Sequence, residues 1–154
     1  LGRSFGYALC GIAHCIRRER NFRIHLVAAA YVLALAAYLR VVGVRLALLL
    51  LTIGGVLALE LINTAAEALV DLISPERRPL AKIAKDTAAG AVLVFASAAV
   101  GVGFALLWQP RALMTLLFET LASPARFLAL AASLLAAGWF VFGFSQGDRN
   151  KENL

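Results

Sequence analysis

The chain has 154 residues, of which 62% are hydrophobic and only 16% charged, and its formal net charge is +6. A soluble domain of this length carries about 25% charged residues, so the composition argues against one, and a soluble bundle of all-round buried helices is the weaker alternative. The basic excess is no nucleic-acid signature, because no basic stripe is interleaved with exposed aromatics.

In chain order, residues 2–18 place Phe5, Leu9, Ile12 and Ile16 at helical spacing, with Arg3, His14, Arg17 and Arg18 elsewhere on the turn. That pattern describes an amphipathic helix lying on a membrane surface, and a turn at Arg20–Asn21 leads it into the first span. A chain that opens on Leu1 is expected to be a trimmed one, and the arginines in residues 1–23 leave no signal-peptide pattern. Four apolar blocks follow, at 26–39, 46–59, 88–107 and 127–144. Roughly 20 apolar residues cross a bilayer core as a helix. The third block meets that length, the fourth comes close, and the first two reach it by extension through 23–40 and 45–71. Gly43 lies in the short connection at 40–45. Ser74, Pro75 and Pro79 break the second span, since proline cannot continue a helix interior. Residues 109–126 form a connector, with Pro110 and Pro124, that can hold a short interfacial helix. Trp108 and Trp139 are read as interface-belt residues. Cys10 and Cys15 are too few for a disulfide framework or a zinc site and are expected to be packed or lipid-facing thiols.

Basic residues set the expected orientation. Arg3, Arg17, Arg18, Arg20 and Arg23 precede the first span, Arg77, Arg78, Lys82 and Lys85 lie between the second and third, and Arg149 and Lys151 follow the fourth. The other side carries Arg40, Arg45, Arg111 and Arg126. The positive-inside rule then puts both termini and the 72–86 loop in the cytoplasm, facing anionic lipid.

The second span ends in the stretch ELINTAAEALVDL, residues 60–72. At about 100° per residue, Glu60, Asn63, Glu67 and Asp71 fall within an arc of roughly 80°, a single stripe running from membrane depth toward the cytoplasmic surface. Acids at that depth are costly and point to function. A polar helix–helix contact accounts for Asn63 alone but not for three acids on one face. Carboxylates suit Mg²⁺, which takes one or two of them together with substrate phosphates. Lys85 and Asp86 share that surface, as does Glu19 at the end of the amphipathic helix, and a lysine beside a metal suits nucleotide phosphates. The chemistry so permitted is phosphoryl transfer at the interface. Glu60, the deepest and most desolvated acid, suits a general base toward a lipid alcohol. No Walker A, Gly-rich phosphate loop or kinase HRD motif is present, which excludes a soluble kinase fold.

The run ELINTAAEALVDLISPERRPLAKIAKDTAAGAVLV resembles the signature of the bacterial integral-membrane diacylglycerol kinase and undecaprenol kinase family, and ERNFRIHL at 19–26 resembles its undecaprenol kinase branch. The resemblance covers about residues 2–108. It implies an all-α membrane protein with a surface helix and three core spans per subunit, to which this chain adds a fourth hydrophobic segment. It also implies a homotrimer whose active sites are shared between subunits, and transfer of the ATP γ-phosphate to a membrane alcohol. By the same resemblance Glu60 is the proton acceptor, and Glu19 and Glu67 hold Mg²⁺ with ATP. Tyr7, Glu76, Arg77, Arg78, Lys85 and Asp86 match nucleotide-contact positions, Asn63 and Asp71 support the site, and Arg3 lies near the lipid substrate with Glu60. The chain departs from the family at Arg77 and Arg78, which stand where a Tyr-His pair is common. It departs again at His25, where the proteobacterial diacylglycerol branch is acidic, and this favours undecaprenol. His14 and His25 are otherwise read as interfacial or packed side chains. The expected organisation is a lipid kinase unit at 1–108, with its surface helix at 2–18 and spans at about 23–40, 45–71 and 86–108. A connector at 109–125, the extra hydrophobic segment at 126–145 and a polar tail at 146–154 follow.

The leading expectation is thus an ATP- and Mg²⁺-dependent undecaprenol kinase of the bacterial cell membrane, multi-pass, with N-terminus and active site cytoplasmic and no nucleic-acid partner. One alternative keeps the enzyme and makes the alcohol diacylglycerol. Another is a small ion-coupled transporter using the acidic stripe as a relay. A relay needs acids across the whole membrane, and no ionisable side chain lies between Asp86 and Trp108 or between Arg126 and Ser145.

Overall fold

The computed structural model describes residues 2–74 and 78–143. Six helices run through them: α1 (Gly2–Arg18), α2 (Arg20–Tyr38), α3 (Val44–Ile73), α4 (Pro79–Leu107), α5 (Pro110–Ala122) and α6 (Pro124–Phe142). Four of these, α2, α3, α4 and α6, are long and apolar enough to cross a membrane. The expected all-helical class is the observed one among the described residues, with an amphipathic first helix and four helices able to span, the fourth of them C-terminal.

The breaks follow from local chemistry. Glu19 is the hinge between α1 and α2: its backbone is extended at φ −96°, ψ 110°, and its side chain makes no capping bond, so the carboxylate stays available for other use. The expected turn at Arg20–Asn21 is therefore corrected by one residue or more, since both lie inside α2. At the far end of α2, the Val41 N–H donates to the Ala36 carbonyl at 2.9 Å and the Arg40 N–H to that of Ala37 at 3.1 Å. Arg40 sits in the left-handed region at φ 52°. This is a Schellman motif, with its usual apolar contact supplied by Val41 and Ala36, both part of the buried cluster. Gly43, at φ 62°, then turns the chain into α3. Pro79 opens α4, Pro110 opens α5 and Pro124 opens α6, each in the first turn where a missing N–H costs nothing.

α3 and α4 form an antiparallel hairpin. At 1.5 Å per residue the 30 residues of α3 span about 45 Å, more than the roughly 30 Å of a bilayer core. Gly55 lets α4 approach closely, since a Cβ there would lie 2.4 Å from the tip of the Phe95 ring. The buried cluster of Ala36, Leu39, Val41, Leu49 and Leu107 sits at the opposite end of the bundle from the acids. Hydroxyls within the spans donate to carbonyls four residues back, Thr52 to Leu48 and Ser97 to Leu93, which satisfies them without water. Large apolar side chains such as Leu51, Leu93, Val94 and Val100 are exposed along α3 and α4, as lipid-facing or subunit-facing surfaces are.

α6 packs against α2. Tyr31 Oη lies 3.0 Å from Ser133 Oγ. Arg23 is completely buried and donates to the Val141 carbonyl through Nε at 3.2 Å and Nη2 at 3.1 Å. Its Nη1 donates to the carbonyls of Ile16 and Arg17, each at 3.0 Å. One guanidinium thus ties the C-terminal ends of α1 and α6 to α2, where the negative ends of helix dipoles favour a cation. Arg23 reads from sequence as one of the surface charges that orient the first span; the structure corrects this, because the side chain faces carbonyls inside the protein rather than headgroups.

Candidate active site

The acidic stripe of α3 faces inward at its deep end and opens outward along the helix. Glu60 is buried, Asn63 is buried, Glu67 is half-buried and Asp71 is exposed. Asn63 Nδ2 donates to Glu67 Oε1 at 3.0 Å, as one turn of helix allows. Asn63 Oδ1, although buried, accepts no hydrogen bond. Glu60 meets α2: His25 Nε2 lies 3.2 Å from Glu60 Oε1. Glu19, at the α1–α2 hinge, and Glu67 both lie within electrostatic range of Glu60. Three acids from two stretches of chain, one amide and one imidazole are therefore gathered at the cytoplasm-expected end of the bundle.

A second polar layer lies further along α3 and α4. Lys85 Nζ approaches Asp71 Oδ1 to 2.6 Å, and Lys82 pairs with Asp86 one turn away on α4. Lys85 and Asp86 are thus engaged with protein partners here, on a solvent-accessible edge where such pairs contribute little to stability and exchange partners readily. Arg78, exposed, stands at the N-cap position of α4 without a side-chain capping bond. Tyr7 and Arg3 lie on the exposed surface of α1, along with Phe5 and Leu9. Glu76 and Arg77 lie outside the described residues.

Cys15 is buried beneath this cluster and Cys10 is exposed; both are free thiols. Burial pushes the Cys15 thiol above its ordinary range; a hydrogen bond with Thr64 opposes this, and the charges of Glu19 and Glu60 reinforce it. A thiol so held stays neutral and packs rather than reacts.

Between α2, α3 and α4, with Leu113 of α5 in its lining, lies a cavity of about 540 Å³. Its walls are apolar, among them Val32, Leu49, Ile53, Ala99 and Leu113, and His25 stands among the residues that line it. From sequence His25 serves only as a marker of the undecaprenol branch and otherwise reads as a packed or interfacial side chain, with no contact to Glu60. Its contact with Glu60 depends on how α2 meets α3, which helical periodicity within one stretch does not reveal. Arg23 was overlooked for the same reason.

Comparison with known proteins bears on the same stretch. The sequence profile described as prokaryotic diacylglycerol kinase matches residues 6–107. A protein of Synechocystis sp. named diacylglycerol kinase is 47% identical over 108 residues, which is 70% of this chain and 62% of that protein. The Bacillus subtilis protein named undecaprenol kinase is 48% identical over 94 residues, covering 61% of this chain and 76% of its own length. The Escherichia coli protein named diacylglycerol kinase is 33% identical over 107 residues, 70% of this chain and 88% of that protein. The matched stretch thus spans less than two thirds of the Synechocystis protein. No solved structure matches. The matched residues contain α2, α3, α4 and most of α1, with every acid of the stripe, and they stop before α5. The chain belongs to the prokaryotic diacylglycerol kinase family.

Proposed function

We propose that the chain is a lipid kinase that transfers the γ-phosphate of ATP to the hydroxyl of a membrane polyprenol, undecaprenol, at the cytoplasmic face of a bacterial cell membrane. The observation that carries this reading is Glu60: a buried carboxylate on a membrane-length helix, held at 3.2 Å by His25, with Glu19 and Glu67 beside it. Glu60 serves as general base for the alcohol. Glu19 and Glu67 are the anionic pair that faces the nucleotide, and Asn63 orients Glu67. Lys85 and Asp86 leave their protein partners to meet phosphate and ribose or base, with Tyr7, Glu76, Arg77 and Arg78 along the same rim, Asp71 in support, and Arg3 near the lipid headgroup.

Mg²⁺ fits the residues present. Among the described residues no three His, Cys, Asp or Glu side chains form a ready metal cage; Mg²⁺ takes one or two carboxylates and completes its shell with phosphate oxygens and water. The unpartnered Oδ1 of buried Asn63, next to Glu67, is a hard oxygen acceptor of the right kind beside that pair. When bound, the ion would neutralise phosphate charge. The protein's own residues hold the alcohol, accept its proton and exclude water. Basic residues on one side of the spans support the cytoplasmic orientation, and the uncovered apolar faces of α3 and α4 leave room for subunit neighbours, in a trimer with shared sites, as well as for lipid.

The choice of polyprenol rests on His25 and the ERNFRIHL stretch around it, and the 48% identity to the Bacillus subtilis protein supports it. Diacylglycerol is the second reading, favoured by the 47% identity to the Synechocystis protein. The test is purified protein in mixed micelles with labelled ATP and either lipid. Label in the polyprenol supports the first reading, label in diacylglycerol alone selects the second, and label in neither overturns both.

A further inference from the structure

Glu60 can act as a base only if its carboxylate is aimed where the lipid hydroxyl arrives. A glutamate has three rotatable side-chain bonds, and Glu60 sits among other acids, Glu19 and Glu67, that push its charge away. Something must hold it. Within the described residues the contact that does so comes from another helix: His25 Nε2 on α2, 3.2 Å from Glu60 Oε1. An ionised carboxylate accepts and does not donate, so for this contact to hold Glu60 the proton must sit on Nε2. The stretch of α2 that carries His25 is anchored. Arg23, two residues earlier, is completely buried and fixed by hydrogen bonds to Val141, Ile16 and Arg17, which sets the rotation of α2 at this level.

His25 also faces the other way. It lines the apolar cavity between α2, α3 and α4. Thr52, also in that lining, spends its hydroxyl on the Leu48 carbonyl of its own helix. His25 therefore stands where apolar walls give way to the acid cluster.

Resting on the lipid-kinase reading, we propose that His25 is a positioning residue: it fixes one oxygen of Glu60 so that the other is presented to the hydroxyl of the lipid alcohol. In the step so served, the alcohol O–H bond breaks and its proton moves to the free carboxylate oxygen of Glu60. The alcohol oxygen forms a bond to the γ-phosphorus of ATP, and the bond from that phosphorus to the bridging oxygen breaks, releasing ADP. Glu60 returns its proton to water afterwards. His25 touches neither phosphate nor alcohol and keeps its own proton throughout.

The test uses the full chain in mixed micelles, with labelled ATP and whichever lipid alcohol the wild type phosphorylates. His25→Leu fills the space without a donor, and His25→Gln restores an N–H at about the same reach. A misaligned base costs on the order of 10²-fold, so His25→Leu should lose about that in kcat, with KM for ATP and lipid nearly unchanged. His25→Gln should recover most of the loss, a rescue that a merely space-filling role would not give. Should the Leu variant fail to fold, His25→Asn, whose amide is too short to reach Glu60, takes its place with the same expectation. Wild-type kcat in the Leu or Asn variant overturns the proposal, as does a Gln variant no better than Leu. A wild type that labels no lipid is a different failure, that of the kinase reading itself.

Discussion

The two C-terminal hairpins of this chain are built differently. α3 and α4 pack along their length, close enough at Gly55 that a methyl group would strike Phe95, and they carry Glu60, Asn63, Glu67, Asp71, Lys85 and Asp86. α5 has no buried residue and α6 has one, Val141. The polar pair between α5 and α6, Arg126 with Glu119, is exposed on both sides. α6 is joined to the rest through α2, at Tyr31–Ser133 and Arg23–Val141. The family profile covers the first hairpin and stops before the second. The contrast teaches that membrane-length hydrophobicity says nothing about chemistry: what separates the two hairpins is where each places ionisable groups, and on which face.

The strongest way to break this contrast is to disarm the first hairpin. Glu60→Gln keeps size but cannot take the hydroxyl proton, and loss of a general base costs roughly 10²–10⁴-fold. Phosphorylation should fall by that factor in a micelle assay while ATP binding stays near wild type. Near-wild-type turnover would remove Glu60 from the chemistry and leave the hairpin's acids unexplained.

Glu19→Gln and Glu67→Gln should act on the nucleotide instead. On the proposed reading each is an anionic metal ligand, and losing even an outer-shell partner of a bound metal costs about 10–100-fold, so the apparent affinity for Mg²⁺·ATP should drop about tenfold or more, with partial rescue at high Mg²⁺ for at least one of them. Metal titrations of both variants that overlay the wild type would show that neither is a ligand.

The second hairpin should be removable at a cost in stability, not chemistry, because the Ile16 and Arg17 carbonyls still hold Arg23, and with it α2, beside α1. A chain ending at Pro110 lacks α6, and with it the Val141 carbonyl that accepts from two nitrogens of Arg23. Loss of a hydrogen bond from a charged group costs about 1.5–3 kcal/mol, so the truncated protein should melt lower in detergent yet still phosphorylate lipid. A folded but inactive truncation would mean that α6 helps build the site, through the register of α2 that Arg23 sets.

What could be read from the residues and what could not divide along a physical line. The helices were legible because apolar runs of membrane length punctuated by proline and glycine admit few other structures. The acid stripe was legible because Glu60, Asn63, Glu67 and Asp71 share one helix, and helical periodicity alone puts them on one face. Contacts between helices were not: Arg23 reads as an ordinary interfacial charge and His25 as a packed imidazole until α2 is set against α3 and α6. Glu19 was legible as an acid at the right depth, but the break falling on Glu19 itself, with its carboxylate free of capping, is a backbone matter that composition does not reveal.

The finest probe of the contrast compares two glycines. At Gly55 a Cβ would meet the Phe95 ring at 2.4 Å, so Gly55→Ala must displace Phe95 or spread α3 from α4, an overpacking cost of about 1–3 kcal/mol. At Gly138, in α6, nothing lies within 4 Å of the added carbon. Gly138→Ala should therefore leave stability unchanged or raise it by roughly 0.5–1 kcal/mol, the helix preference of alanine over glycine. Thermal melts of the two variants in one detergent give the comparison directly. If Gly138→Ala destabilises as Gly55→Ala does, then a neighbouring subunit packs against that small residue, as small side chains at membrane helix interfaces allow. α6 would then be an assembly surface, and the loosely packed hairpin would have a packing partner outside its own chain.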